Sequence, residues 1–282
     1  MTHRLGSTKI YVLQDGDFWL DGGVLFGIVP KVLWEKLLPP DSLNRVRLAL
    51  NVLLVRWAGH WVLIETGIDR KPGTKHRELY GLGEEELILK QLAELSLSPE
   101  EISLVINTHL HFDHAGLNTR LEDGRYVPTF PRARYFIQEA ELETARHLNE
   151  RTRATYFLEN VEPLWERGQL ELLKGEAELL KGLSVAPLPG HVPGQQGVFI
   201  ESAGERLAYV ADLIPTLAHV PLVYISALDL APLTSLELRK RWYPRWAEEG
   251  WIIATPHDPL HPLGRIELGP KGYRGTPLDS HS

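Results

Sequence analysis

At 282 residues and 43% hydrophobic, the chain is long enough for a sizeable core, and we read it as a single domain over residues 1–282. Thirty Lys and Arg against 37 Asp and Glu give a formal charge of -7, which speaks against a nucleic-acid partner. Cysteine is absent, which excludes a disulfide framework and fits a reducing compartment.

The N-terminal stretch MTHRLGSTKIYVLQDGDF has no apolar core of the signal-peptide kind. The most apolar region, Leu48 to Ile64, is interrupted by Arg56 and His60 and cannot be a membrane span. The cytoplasm is the expected location. A single Met, no Cys, and plentiful Arg, Glu and Pro resemble a thermophile's residue usage.

In chain order, Lys9 to Leu13 reads as a first strand, ended by the turn signal Gln14-Asp15-Gly16-Asp17. An apolar stretch follows, Phe18 to Leu38, in which Pro30 opens a short helix running to Leu38. Val32, Leu33, Trp34, Leu37 and Leu38 nearly encircle that helix. It therefore packs into core, walls a pocket or lids it, or meets a second copy in a homodimer. The expectation taken forward is a pocket wall that includes Leu25, Phe26, Ile28, Val29 and Trp34.

Val52 to Trp57 and Trp61 to Thr66 read as a hairpin turning at Ala58-Gly59-His60. Glu84 to Leu95 is an amphipathic helix, and Ser98-Pro99-Glu100 a cap and first turn. Ile102 to Ile106 is a buried strand. Arg134 to Ile137 is another strand, Glu139 to His147 a helix, and Arg151 to Gly168 is expected to be helical. Short strands follow at Leu170 to Leu173, Glu178 to Lys181 and Leu183 to Pro187, then a hairpin of Gln196 to Glu201 and Arg206 to Val210. Ser235 to Glu249 is a helix with Trp242 and Trp246 on one face, and Trp251 to Ala254 a last strand. Such alternation indicates an α/β arrangement.

The stretch that carries chemistry is Thr108 to Asn118, THLHFDHAGLN, directly after the strand at Ile102 to Ile106. Side chains two apart share a face while the backbone is extended, so His109 and His111 point the same way. Asp113 and His114 are neighbours, diverge where the chain turns, and can serve two centres. Imidazole nitrogens and carboxylate oxygens suit zinc, iron or manganese. His191, Asp212 and His257 also sit where strands give out, the usual place for functional groups on a rigid scaffold. The seven candidates suffice for two metals and a bridging carboxylate.

HxHxDH, then PGHVPGQ at 189–195, then an Asp after a strand and a late His, resembles the metallo-β-lactamase superfamily. Within it, the motifs look closest to the branch of N-acyl homoserine lactonases and methyl parathion hydrolase. The resemblance implies a four-layer αββα sandwich with the metals at one edge. It also implies that His109, His111 and His191 hold one metal, Asp113, His114 and His257 the other, and that Asp212 bridges them. Two departures stand out: Glu65-Thr66-Gly67 replaces the usual Asp-Thr-Gly, and Pro215 occupies the place of a lactonase Tyr that polarises the substrate carbonyl. His219, four residues after Pro215, is within reach of the pocket as an acid–base candidate. His3, His60, His76, His147 and His281 are expected to do no more than solvate, and His261 is left open.

The chemistry expected is a metal-dependent hydrolase: two divalent ions, zinc first and iron or manganese next, with a bridging hydroxide as nucleophile. Asp113 would pass a proton to the leaving group. No Lys or Arg cluster accompanies the ligand loops and the wall residues are apolar, so the expected partner is a small apolar ester or lactone. The alternatives are a phosphotriesterase and a glyoxalase II-like thioesterase. A diiron redox protein is disfavoured by His111, and an RNase Z-like nuclease by the negative charge. A binding module has no use for a full ligand set.

Overall fold

The computed structural model describes residues 1–83 and 86–278. Two seven-stranded sheets divide the chain almost in order. The first runs spatially Thr2–Leu5, Thr8–Asp21, Arg45–Trp57, His60–Ile64, Ile102–Ile106, Arg134–Gln138 and Leu170–Leu173. The second runs Ala177–Leu180, Leu183–Pro187, Gln196–Ser202, Glu205–Tyr209, Ile252–Ala254, Leu263–Gly269 and Gly272–Pro277.

Alternation within the strands explains why both faces of each sheet are covered. In Arg45–Trp57, Leu53 and Val55 enter the layer between the sheets, with Val185, Ile200, Leu207 and Ile252 from the other side. Val52 and Leu54 face the opposite way, onto Ile88, Leu92, Leu142 and Leu164 of the outer helices Leu87–Glu94, Glu139–Arg146 and Glu162–Glu166. Such a strand reads as a continuous apolar run because neither face meets water. The second sheet is covered by Pro232–Glu248, whose Tyr243 and Trp246 pack on Phe199, Ala208 and Ile253. The result is helix, sheet, sheet, helix: the expected αββα sandwich. Among the described residues no helix is long and apolar enough to cross a membrane.

Several elements differ from the sequence expectation. The signal at Gln14 to Asp17 is a register shift inside one long strand, Thr8–Asp21, and not its end. Gly16 at φ +97° lets the strand bulge there without breaking its pairing. The helix over Lys31–Trp34 is shorter than expected, and Gly22–Phe26 forms a separate turn of helix capped by the Asp21 carboxylate. Thr74–Tyr80 is a helix not anticipated, and Leu87–Glu94 is shorter than the expected one, whose residues 84 and 85 lie outside the described set, as does His281. Residues 151–155 are turns, Tyr156 forms an isolated bridge to His111, and helix begins only at Leu158–Asn160 and Glu162–Glu166. The closing strands Leu263–Gly269 and Gly272–Pro277 were not foreseen, because one is cut by Gly264 and the other by Gly275, both of which pack against Leu217 with no room for a side chain.

Candidate metal centre

Five strand ends meet at one edge of the sandwich. His60–Ile64 delivers Glu65, Ile102–Ile106 delivers the motif, Leu183–Pro187 delivers His191, Glu205–Tyr209 delivers Asp212, and Ile252–Ala254 delivers His257. Close approach is needed where the motif turns: a Cβ on Gly116 would lie 2.1 Å from the Asp69 nitrogen, so only glycine fits.

The structure brings all seven candidate ligands together. His111 Nδ1 lies 3.1 Å from both His109 Nε2 and His191 Nε2. His114 Nε2 and His257 Nε2 are 3.2 Å apart, and Asp113 Oδ2 is 3.7 and 3.6 Å from them. Donor atoms of His109, His111 and His191 thus form one group and those of Asp113, His114 and His257 another. Asp212 stands between. Its Oδ2 is 3.2 Å from His191 Nε2, while its Oδ1 is 3.1 Å from His257 Nε2 and 3.4 Å from His114 Nε2.

Proton bookkeeping shows what these groups are prepared for. His257 Nδ1–H donates to the Ala49 carbonyl at 3.0 Å, and His114 Nδ1–H to Glu65 Oε1 at 3.3 Å. His191 Nδ1–H donates to Asp229 Oδ1 at 3.1 Å. The Thr108 hydroxyl donates to Glu65 and accepts from His109 Nδ1–H at 3.0 Å. In the neutral tautomers that these outer hydrogen bonds favour, four imidazoles turn a lone pair inward. Lone pairs facing one another at such distances repel unless a cation sits among them. Burial and the neighbouring imidazoles hold His109 and His111 well below the ordinary imidazole range, so both rings are neutral, the form in which an imidazole can bind a metal. Asp212 Oδ1 is buried with no hydrogen-bond donor. The donor set fits divalent metal ions.

A cavity of about 400 Å³ opens onto these atoms. Its lining includes His111, Asp113, His191, Asp212 and His257, and on the apolar side Phe18, Leu20, Val24, Leu25, Leu48 and Phe112. Pro215 lines it as well. Phe26 and Trp34 do not, which corrects the expected wall: they are fully buried, stacked on each other with centroids 5.0 Å apart, and support Leu25 from behind. Ile28 is 90% exposed and is no part of the wall either.

His219 is also corrected. It is fully buried behind the wall, stacked on Phe26 at 4.4 Å, and is not among the lining residues. Its Nε2–H donates to the Leu25 carbonyl at 3.2 Å and its Nδ1 accepts from Thr216 Oγ1 at 2.8 Å. Burial and the Arg239 guanidinium push its pKa down to about 3, so the ring is neutral and serves here as a strut behind the wall. His76 does more than solvate, since its ring packs between Tyr80, Phe112 and Phe157. His3 is buried in the first strand, and His261 is exposed at the edge of a second, smaller hollow away from the ligands.

Four residues carry weight that the sequence did not advertise. Glu141 accepts from Leu110 N–H and Tyr156 O–H, both at 2.9 Å, and so anchors the backbone between His109 and His111. Asp229 holds His191. Tyr80 lines the cavity and has no hydrogen-bond partner for its hydroxyl among the described residues. Among the described residues Arg151 is the one Lys or Arg in the lining, and its Nη2 donates to the Ala227 carbonyl at 2.7 Å. None belongs to a local motif; they come from loops and helices that only the packing brings near.

Comparison with known proteins agrees with this architecture. The family described as the metallo-beta-lactamase superfamily matches residues 46–249. An N-acyl homoserine lactonase from Bacillus sp is 33% identical over 119 residues, 42% of this chain and 41% of that relative. The match thus spans less than half the length of that curated relative. A probable metal-dependent hydrolase from Staphylococcus aureus superposes with a TM-score of 0.90 at 27% identity, covering 99% of this chain and 100% of the other. AidC, a dizinc quorum-quenching lactonase solved with its product N-hexnoyl-L-homoserine, shares the fold at a TM-score of 0.80 and 21% identity, over 100% of this chain and 98% of that one. With the family match covering most of the strands that deliver the ligands, the chain belongs to the metallo-β-lactamase superfamily.

Proposed function

We propose that the protein is a metal-dependent hydrolase with two divalent ions, zinc foremost, acting on an apolar carboxylic ester or lactone. The observation that carries this reading is Asp212, whose two oxygens address the two imidazole groups separately on the floor of an apolar cavity. His109, His111 and His191 would hold one ion, Asp113, His114 and His257 the other, with Asp212 shared. The chemistry such a pair supplies is Lewis acidity and activation of a water near neutral pH.

The protein's own groups do the rest. Phe18, Leu20, Leu25 and Phe112 exclude water and favour a neutral acyl group over a charged one. Asp113 has Oδ2 among the imidazoles, which leaves Oδ1 to carry a proton to the departing oxygen. Pro215 offers no donor. The Tyr80 hydroxyl does, and burial and the Asp113 charge raise its pKa, so it stays protonated and donates to the substrate's carbonyl oxygen. Lactonase relatives and the fold shared with a dizinc lactonase support the ester or lactone class.

The test compares kcat/KM for an aryl ester, an acyl lactone, a thioester and a phosphotriester on one zinc-loaded preparation. The ester or lactone should lead. A phosphotriester or thioester preferred by more than about tenfold, near 1.4 kcal/mol in transition-state stabilisation, overturns the substrate class.

A further inference from the structure

Behind His191 lies a chain of buried hydrogen bonds that leads away from the metal ligands into the cavity wall. His191 Nδ1–H donates to Asp229 Oδ1 at 3.1 Å, and Ser235 Oγ donates to Asp229 Oδ2 at 2.6 Å. Asp229 is 4% exposed, so its charge is spent on these partners rather than on water. The backbone copies the arrangement, with Leu230 N–H on the His191 carbonyl at 3.0 Å and Ala231 N–H on that of Gly190 at 2.8 Å. Gly190, at φ +141°, has no room for a side chain, since a Cβ would come within 2.2 Å of Ser235 Oγ. Only glycine lets the His191 loop lie this close to the start of helix Pro232–Glu248.

The segment that carries Asp229 is also a wall of the cavity: Ser226, Ala227, Leu228 and Leu230 all line it. Ala227 N–H and Ser226 Oγ–H both donate to the Val24 carbonyl, at 2.9 and 3.2 Å, which ties this wall to the opposite one. The other imidazoles are braced differently. His257 leans on a neutral carbonyl, while His114 and the Thr108 that holds His109 share the single carboxylate of Glu65. Among the candidate ligand imidazoles, His191 alone has a carboxylate behind it that no other ring shares.

We propose that Asp229 is a positioning residue that fixes the tautomer and direction of His191 and thereby selectively tightens the ion held by His109, His111 and His191. A carboxylate behind a ligating imidazole sets which nitrogen is free and raises its basicity, and loss of such a partner typically costs about 10- to 100-fold in metal affinity or activity. The proposal rests on the metal-centre reading above.

The experiment loads wild type, Asp229→Ala, Asp229→Asn and His191→Ala with zinc and follows zinc release to a coloured chelator. In Asp229→Ala one ion should be held about 10- to 100-fold more weakly while the other is released as in wild type. Asp229→Asn keeps an acceptor for His191 and should restore most of that loss. Asp229→Ala added to His191→Ala should change zinc affinity no further, because the residue acts through that ring. Equal loosening of both ions, wild-type release from Asp229→Ala, or an additive effect in the His191→Ala background overturns the proposal. Should Asp229→Ala not fold, Asp229→Ser, too short to reach His191, decides: a weakening of about tenfold confined to one ion supports it, and wild-type affinity for both ions overturns it. Wild type that takes up no zinc defeats the metal-centre reading as well; two ions held normally in Asp229→Ala defeats this inference alone.

Discussion

The two groups of candidate ligands are built on different principles. His109, His111 and His191 contribute three rings and no carboxylate, and the negative charge near them stands behind, on Glu65 and Asp229, or is shared through Asp212. The group of Asp113, His114 and His257 has a carboxylate of its own, and Asp113 lines the cavity. The first group is therefore a scaffold tuned from outside, and the second is the one whose charge lies on the cavity surface. Ligand identity alone does not describe such a site; what stands one residue further back decides how firmly and in which protonation state each ring is held.

The largest effect is expected where the difference between the groups vanishes. Asp212→Asn should lower kcat/KM by at least about 100-fold and reduce zinc content, because both groups lose the charge they share. Activity at the wild-type rate would show that Asp212 is not the bridge. Tyr80→Phe tests the cavity side of the second group. Its loss of one neutral hydrogen bond should lower kcat by about tenfold with KM little changed and zinc content at the wild-type level. An unchanged kcat would remove Tyr80 from the reaction.

His219 lies outside both groups, so His219→Gln should leave zinc content intact and kcat/KM within about threefold, while lowering Tm through the lost stack on Phe26 and the altered bonds to Leu25 and Thr216. A loss of activity beyond tenfold with zinc and Tm preserved would restore an acid–base role.

The smallest effect concerns the brace beneath the first group. Burial raises the Glu141 pKa from 4.5 to about 7, against its hydrogen bonds from Leu110 and Tyr156. A carboxyl with a raised folded pKa holds its proton in the native state while the unfolded chain releases it, so stability falls as pH rises from about 4.5 to about 7. Glu141→Gln keeps the acceptor for Leu110 and Tyr156 and should flatten that part of the pH–stability curve without altering kcat. A slope equal to wild type would mean that Glu141 is ionised in the folded protein across this range.

Regularity in spacing made much of the site visible in advance. His109, His111, Asp113 and His114 occupy six consecutive positions after an apolar strand, and each remaining ligand follows a strand end and a Pro, Gly or loop. The periodic strands were legible because both faces of each sheet are buried, which leaves apolar runs such as Val52 to Val55. Strand ends at bulges and glycines were not, as Gln14 to Asp17 and Gly264 show: those residues look like breakers, and only pairing partners reveal that the strand continues. The helix expected over Arg151 to Gly168 failed for a related reason. Its first residues lie across the motif, with His111 bridged to Tyr156 and Phe112 N–H donating to the Thr155 carbonyl, a use of the backbone that competes with helix formation.

The chain by itself determined the inventory of candidate ligands, the absence of thiol chemistry and most of the inner strands, because these follow from residue type and from a two-residue or helical period. Tertiary structure alone decided which aromatic residues face the cavity and which only support it. Phe26, Trp34 and His219 have the composition of a pocket, yet each finds a fuller set of partners in the layer behind Leu25. Tyr80, Arg151 and Asp229 have the composition of ordinary surface residues, yet helix Thr74–Tyr80, the turns at 151–155 and the loop at 226–231 carry them to the metal edge. A side chain's type fixes what it can bond; its distance from a ligand 38 residues away, as between His191 and Asp229, is set by how the layers close on each other.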